Sequence, residues 1–385
     1  MVSPIGVDAG SFWSALLEGR TGAAPVTGFD TSPFTSRLGC EVRGVAQSVW
    51  PGPGRAATLA IEAGRQALAD AGLTRAEIAD TALVLGTTMG ESCWLESWSA
   101  DAVRAGACAV PAEQLVRSGP DAIGVNVAAA LRLCGRVSVL AGACAAGNYA
   151  LGRALDLVRL GRAERVLAGG TDAFSRVAFT GFSRLGALAS EACRPFSADR
   201  DGLVLGEGAA FLLVESEKAA ASRGAQPVAE LAGIGLSGDA FHIVSPDPEG
   251  RGAARAMIAA LADAGVDRRD VGYLSAHGTG TPANDRAEVA AVRSVFGAGG
   301  PPMSSIKALT GHGLGAASAI EAVACVLALR AQVVPPTWNF VGADPDCDWD
   351  VIPNEPRALE LHAVLSNAYA FGGCNASLLL RHFAA

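Results

Sequence analysis

The stretch Arg136-Val-Ser-Val-Leu-Ala-Gly-Ala-Cys144 decides the reading of this chain. Its β-branched run predicts a strand over 136–141. Gly142-Ala143 breaks that strand, and the small and apolar residues that follow predict a helix to about Leu160. Cys144 therefore stands where a strand gives way to a helix. A thiol at a helix N-terminus feels the positive end of the helix dipole, which favours its reactive thiolate. Taken alone, a cysteine is more often a small buried hydrophobe. What changes that weighting is a pair of histidines at similar junctions, His277 and His312.

Outward from Cys144, strand-like and helix-like segments alternate. Arg55–Ala71 predicts a helix stopped by Gly72, and Thr81–Gly86 predicts a buried strand. Strands are expected at Arg165–Gly169, Ala209–Glu215 and Val228–Leu236. The order then begins again: helix Gly252–Ala264, strand Val271–Ala276, helix Ala283–Phe296 and the strongly apolar helix Leu314–Leu329. Strands at Leu361–Asn367 and Ala376–Leu380 follow. Such alternation predicts a layered α/β fold with helices on the sheet faces. The repetition divides the chain into two similar halves, 1–230 and 231–385. Two sheets enclosing a pair of buried helices would explain a helix as apolar as 314–329.

Composition narrows the function. Half of the 385 residues are hydrophobic, 18% are charged, and the net charge is −8. That suits a packed globular enzyme and argues against nucleic-acid binding. Nine cysteines at 40, 93, 108, 134, 144, 193, 325, 347 and 374 form no CxxC pair and no Cys/His metal spacing. They read as reduced thiols in a cytoplasmic protein, without a zinc site. Neither a signal peptide nor a membrane span is expected.

Three further motifs accompany Cys144. Ser275-Ala-His277-Gly-Thr279-Gly-Thr281-Pro-Ala-Asn-Asp285 ends a strand and opens a helix, with Pro282 at its first turn. Ser304-Ser-Ile-Lys307-Ala-Leu-Thr-Gly-His312-Gly-Leu-Gly sets His312 between glycines ahead of the apolar helix that carries Glu321. Asn367-Ala-Tyr-Ala-Phe371-Gly372-Gly373-Cys-Asn375 joins an aromatic to a glycine turn. A lone loop histidine is more often structural than catalytic. The four motifs in this order resemble the β-ketoacyl-[acyl-carrier-protein] synthases of the thiolase superfamily, specifically the elongating Cys-His-His branch. Val2-Ser-Pro-Ile-Gly6, Arg194-Pro-Phe-Ser-Ala-Asp-Arg-Asp-Gly202, Gly206-Glu-Gly208 and Asp239-Ala-Phe-His242 extend the resemblance over nearly the whole chain.

The resemblance implies a thiolase-like α/β fold, two βαβαβαββ halves forming an αβαβα five-layer sandwich. It implies that Cys144 accepts an acyl group and that His277 and His312 stabilise the enolate formed when malonyl-carrier protein loses carbon dioxide. The backbone N–H groups of Cys144 and Phe371 would form the oxyanion hole. Lys307 and Glu321 would support the histidines as an ion pair, since nine residues separate Glu321 from His312 along a helix. Thr279 and Thr281 would contact the pantetheine arm. Phe371, with Gly372 and Gly373, would gate the acyl pocket, and Met89, in the segment 86–98, would line it. No resident cofactor is implied, because phosphopantetheine arrives on the carrier protein. The implied partners are an acyl carrier protein and either a second copy or a chain-length factor.

Several positions depart from the family pattern. The family's first β-strand would precede Val2, so the resemblance implies roughly ten further residues ahead of it. Ala370 replaces a glycine and Cys374 a threonine. The first of these predicts narrower gating, because alanine avoids positive φ. Ala-Ala-Gly-Asn after Cys144, together with Glu91, Trp94 and Trp98, tilts the expectation from fatty acid synthesis toward a specialised polyketide or polyene pathway. Trp94 and Trp98 are expected in core packing or a subunit contact. With only two lysines, Lys218 and Lys307, docking of an acidic carrier falls to arginines such as Arg37, Arg43 and Arg55. Two histidines disfavour the Cys-His-Asn enzymes, and the setting of Cys374 disfavours a thiolase. An acyltransferase on the same scaffold stays open. The presence of Cys144 argues against a non-catalytic chain-length factor.

Overall fold

The computed structural model describes residues 1–46, 52–106, 112–113 and 119–383; Cys108 lies outside them. Two sheets organise the chain. The first contains β1 (Ala82–Thr87), β2 (Val137–Ala141), β3 (Arg165–Asp172) and β4 (Gly208–Glu215), in the order β2-β1-β3-β4. Its first three strands are parallel, and β4 runs antiparallel to β3. The second contains β5 (Glu230–Gly238), β6 (Val271–Ser275), β7 (Met303–Ser304), β8 (Ala363–Ala370) and β9 (Cys374–Arg381), in the order β5-β9-β8-β6-β7. Val2 forms an antiparallel bridge to Ala209 on β4.

The strands read as continuous apolar runs because both of their faces are buried. Along β1, Leu83 and Leu85 join Leu59 and Ala63 of helix α1 (Arg55–Asp70) and Ile123 and Val127 of α2 (Pro120–Leu131). Val84, on the opposite face, packs with Leu151 and Ala154 of α3 (Ala146–Arg159) and Ala322 of α6 (Ala317–Ala331). The outer face of the second sheet sets Leu274, Leu365 and Leu379 against Met257 of α4 (Arg251–Ala264) and Val289 and Val292 of α5 (Pro282–Phe296). Helices α3 and α6 thus lie between the sheets, giving the layers α-β-α-β-α. Leu314–Ala331 is long and apolar enough to cross a membrane, but it is mostly buried in this protein interior.

The central layer requires small residues. A Cβ on Gly147 would sit 2.6 Å from the Ala319 nitrogen, so α3 and α6 approach only because that atom is missing. Gly147→Ala is expected to lower unfolding free energy by about 1–3 kcal/mol through overpacking. Urea denaturation checks this, and an unchanged midpoint would refute the close-contact account.

Candidate active site

Each half ends a strand in the same way and then starts a central helix. After β2, Ala143 adopts φ 47° and a 3₁₀ turn, Ala143–Ala145, carries Cys144 into α3. In the second half Leu314 adopts φ 51° and the turn Leu314–Ala316 follows His312 into α6. A left-handed alanine or leucine costs on the order of 1 kcal/mol and persists only where the surroundings enforce it. These two turns bring the thiol and the imidazole to the middle of the molecule. His277 comes from the loop after β6, and its ring meets that of His312 edge to face, with centroids 5.4 Å apart.

Cys144, His277 and His312 line one cavity of about 250 Å³, together with Thr279, Thr281, Phe371 and Gly373. Thr279 and Thr281 share a 2.9 Å hydroxyl hydrogen bond. Phe371 is partly exposed and stacks on Phe182. Gly372 is exposed and not among the lining residues, and its N–H donates to the Ile243 carbonyl at 2.8 Å. Positive φ falls on Gly372 (81°) and Gly373 (71°), whereas Ala370 is extended at φ −125°. Ala370 therefore does not carry the positive φ on which the expectation of narrower gating was based.

Lys307 and Glu321 lie beneath the histidines rather than in the cavity lining. Both are almost wholly buried and form an ion pair. The Lys307 ammonium also donates to the His277 carbonyl at 2.6 Å and approaches His277 Nδ1 at 3.4 Å. His312 Nδ1 accepts the Leu314 N–H at 3.2 Å. With both Nδ1 atoms facing donors, each neutral imidazole carries its proton on Nε2. Burial, reinforced by the Lys307 charge, holds both imidazoles well below the ordinary histidine range. Burial also pushes the Cys144 thiol up to about 12, although Lys307 pulls against it. Burial thus opposes the thiolate that the helix N-terminus favours.

Three sequence expectations change, those for Met89, Glu91 and Arg55. Met89 is not in the cavity lining; its N–H donates to Asp172, and its side chain packs beside Phe179 and Leu205. Glu91 instead caps α1, accepting the Ala56 and Ala57 N–H groups. Trp94 and Trp98, expected in packing, stack on each other with centroids 6.0 Å apart and outside the cavity lining. Arg55 is buried against Glu207, which removes it as a docking residue, while Arg37 and Arg43 are exposed.

Sequence reasoning overlooked three groups. Glu288 accepts the His277 and Gly278 N–H groups at 2.8 and 2.7 Å, and burial pushes its carboxyl up to about 8. Asp172 ties the first sheet to the His312 loop by accepting from Thr88, Met89 and Gly315 N–H. Tyr369 lines the cavity beside His277. The only sequence signal for Glu288 was an acid on the buried face of α5.

A buried thiol, two Nε2–H imidazoles and a supporting ion pair on this fold define a thiol-dependent condensing enzyme of thiolase architecture. The chain belongs to the beta-ketoacyl synthase family: its N-terminal domain model matches residues 1–220 and its C-terminal domain model residues 228–341. The chain is 42% identical to nodulation protein E of Rhizobium sp. (strain N33), covering 98% of this chain and 96% of that protein. It is 38% identical to 3-oxoacyl-[acyl-carrier-protein] synthase 2 of Staphylococcus aureus (strain COL), covering 100% and 97%. Among solved structures, the ishigamide ketosynthase/chain length factor superposes with TM-score 0.95 at 39% identity, covering 100% and 97%. A type II PKS acyl-carrier protein in complex with its ketosynthase bound to the hexaketide, AntDE:AntF, gives 0.93 at 31%, with the same coverage. Ketosynthase activity, an acyl transfer, follows from these findings.

A histidine NMR titration tests the electrostatics. The two buried imidazoles are expected to keep neutral-form shifts from pH 8 down to 6. Their folded-state values lie below 6.5, so the unfolded chain takes up protons first, and stability from this source falls as pH drops below 6.5. Titration of either buried ring near 6.5 would contradict the assignment.

Proposed function

We propose that the chain condenses a Cys144-bound acyl group with a malonyl thioester carried by an acyl carrier protein, in a specialised type II polyketide or polyene pathway. The carrying observation is the convergence of Cys144, His277 and His312 on one cavity. Cys144 sulfur attacks the acyl thioester, its proton passes to the departing pantetheine thiolate, and an acyl-enzyme forms. The backbone N–H groups of Cys144 and Phe371 supply the oxyanion hole. Malonyl thioester then places its carbonyl oxygen against the Nε2–H groups of His277 and His312. The C–CO₂ bond breaks, and its electron pair enters the thioester as an enolate. The enolate carbon attacks the acyl carbonyl, the Cys144–acyl bond breaks, and the β-ketoacyl thioester leaves. Decarboxylation supplies the carbanion, so no resident cofactor is required.

Lys307 and Glu321 act as positioning residues, while Thr279 and Thr281 take the pantetheine arm and Phe371 with its glycines gates the acyl side. Met89 keeps only an indirect place, holding the loop after β1. The specialised pathway is read from Ala-Ala-Gly-Asn after Cys144, Cys374, and the likeness to the ishigamide ketosynthase. Exposed Arg37 and Arg43 are the arginines for an acidic carrier surface. Strand β2 is the outer edge of its sheet, and Val137, Val125 and Leu95 are exposed around it. That apolar edge suits a second thiolase-fold chain, either a copy or a chain-length factor. The enzyme acts in the cytoplasm.

Incubation with acyl- and malonyl-carrier protein, followed by mass analysis of the carrier-bound product, tests the reading. Wild type should elongate. Cys144→Ala should lose acyl transfer but retain malonyl decarboxylation, and His277→Ala and His312→Ala should each lose condensation by about 100-fold or more. Elongation by Cys144→Ala at the wild-type rate would sink the proposal, and retained decarboxylation without acyl transfer in wild type would favour a different role.

A further inference from the structure

The cavity wall includes Phe182, whose ring stacks on Phe371 with centroids 5.5 Å apart and 23° between the planes. Phe182 stands in the last turn of the nine-residue helix Arg176–Arg184, and Leu185 just beyond it also lines the cavity. The position of this helix therefore sets the surface against which Phe371 rests. The helix is about 14 Å long, too short to be stable on its own, so its surroundings must hold it in place. Its buried middle residue, Phe179, meets Phe29 and Phe34 edge to face, with centroids 5.4 and 5.1 Å apart. A short rigid helix pinned at its middle can still pivot, so whatever fixes its first turn also fixes its last.

A side chain from another helix fixes that first turn. Ser175 is the N-cap and accepts the Ala178 N–H at 3.2 Å. Glu96, on the helix Ser92–Ala105, accepts from the Ser175 hydroxyl at 2.7 Å and the Val177 N–H at 2.9 Å through Oε1. Its Oε2 accepts the Arg176 N–H at 3.3 Å. Nearly one turn earlier on the same helix, the Cys93 thiol donates to the Phe174 carbonyl at 3.4 Å. The first N–H groups of a helix lack partners within it and carry the positive end of its dipole, so a carboxylate suits them. Ser175 alone would serve as an ordinary cap. The added acid comes from 79 residues away and clamps one helix to the other.

We propose that Glu96 is a positioning residue for acyl transfer: by seating the first turn of Arg176–Arg184 it holds Phe182 against Phe371, and so keeps the Phe371 N–H where the acyl oxyanion forms. This rests on the ketosynthase reading, in which that N–H serves the acyl group while the two histidines serve the malonyl carbonyl. Loss of Glu96 then slows acylation of Cys144 and spares malonyl decarboxylation. A group that only stabilised the fold would affect both alike.

The test measures the two half-reactions apart. Acylation of Cys144 by a homologous series of acyl-pantetheines is read by protein mass, and carbon dioxide release from malonyl-pantetheine is read in a Cys144→Ala background. Glu96→Ala should lower the acylation rate at saturating donor about tenfold, part of what losing an oxyanion donor costs, with KM and decarboxylation each within about twofold. Glu96→Gln keeps an oxygen for Ser175 and Val177 and should acylate within about twofold of wild type. In a double-mutant cycle Glu96→Ala should add nothing to Phe182→Ala, because it acts through that ring. Ser175→Ala removes one Glu96 contact and should give the same selective loss at smaller size, which decides the matter if Glu96→Ala fails to fold. Equal losses in both half-reactions, additive Glu96→Ala and Phe182→Ala effects, or a glutamine as damaging as alanine would overturn the proposal and leave the ketosynthase reading intact. A wild type that neither acylates Cys144 nor, as Cys144→Ala, decarboxylates malonyl-pantetheine would overturn both.

Discussion

A lysine and a glutamate buried together beneath two histidines form the constraint on which the site depends. Lys307 and Glu321 are 1% and 2% exposed, and each ion gave up several kcal/mol of hydration to be there. Removing either partner alone would leave an unpaired buried charge at a cost of about 3–5 kcal/mol. Their pairing requires Glu321 on the central helix α6 and Lys307 at the start of the short helix Lys307–Thr310 after β7, so the five-layer packing and the site geometry are enforced together. The ammonium then does three things. It holds the His277 carbonyl, keeps protons off both imidazoles, and draws the Cys144 thiol down against the effect of burial.

The two halves use one device twice. Each sends a left-handed residue and a 3₁₀ turn into a central helix, Ala143 ahead of α3 and Leu314 ahead of α6. The first turn presents a thiol and the second follows a histidine. Asp172 joins them, since a carboxylate on β3 accepts the Gly315 N–H of the opposite half. The abundance of glycine and alanine is the compositional trace of this arrangement, because turns and helices from both halves meet with no room for larger side chains. A Cβ on Gly170 would fall 2.3 Å from the Gly315 carbonyl oxygen.

Much of this was legible in the sequence because it is local. Periodicity located Arg55–Asp70 and β1, and glycine-flanked histidines at strand ends marked the site. What stayed hidden depends on contacts between distant segments. Glu288 looks like any acid on a helix until α5 is packed under the His277 loop. Arg55 looks like a surface cation until Glu207, 152 residues away, is brought against it. The helix dipole at Cys144 was visible in sequence, but the depth of burial that opposes it was not. Ala370 suggested narrower gating because the sequence could not tell which residue of the loop bears positive φ; Gly372 and Gly373 bear it.

The reacting groups are neutral and the Lys307–Glu321 pair lies behind them, an order that suits the chemistry. Thiol and imidazoles face the cavity uncharged, while the ion pair sits beneath. A protonated imidazole would attract the malonyl carboxylate and stabilise the extender before it reacts, which lowers KM without lowering the barrier. A neutral Nε2–H donor interacts weakly with a thioester carbonyl but strongly with the oxygen once negative charge develops there. In a desolvated site that difference is enlarged. The cost of burying Lys307 is therefore offset in the transition state: burial, reinforced by its charge, keeps the histidines neutral, and neutral histidines place their stabilisation on the enolate.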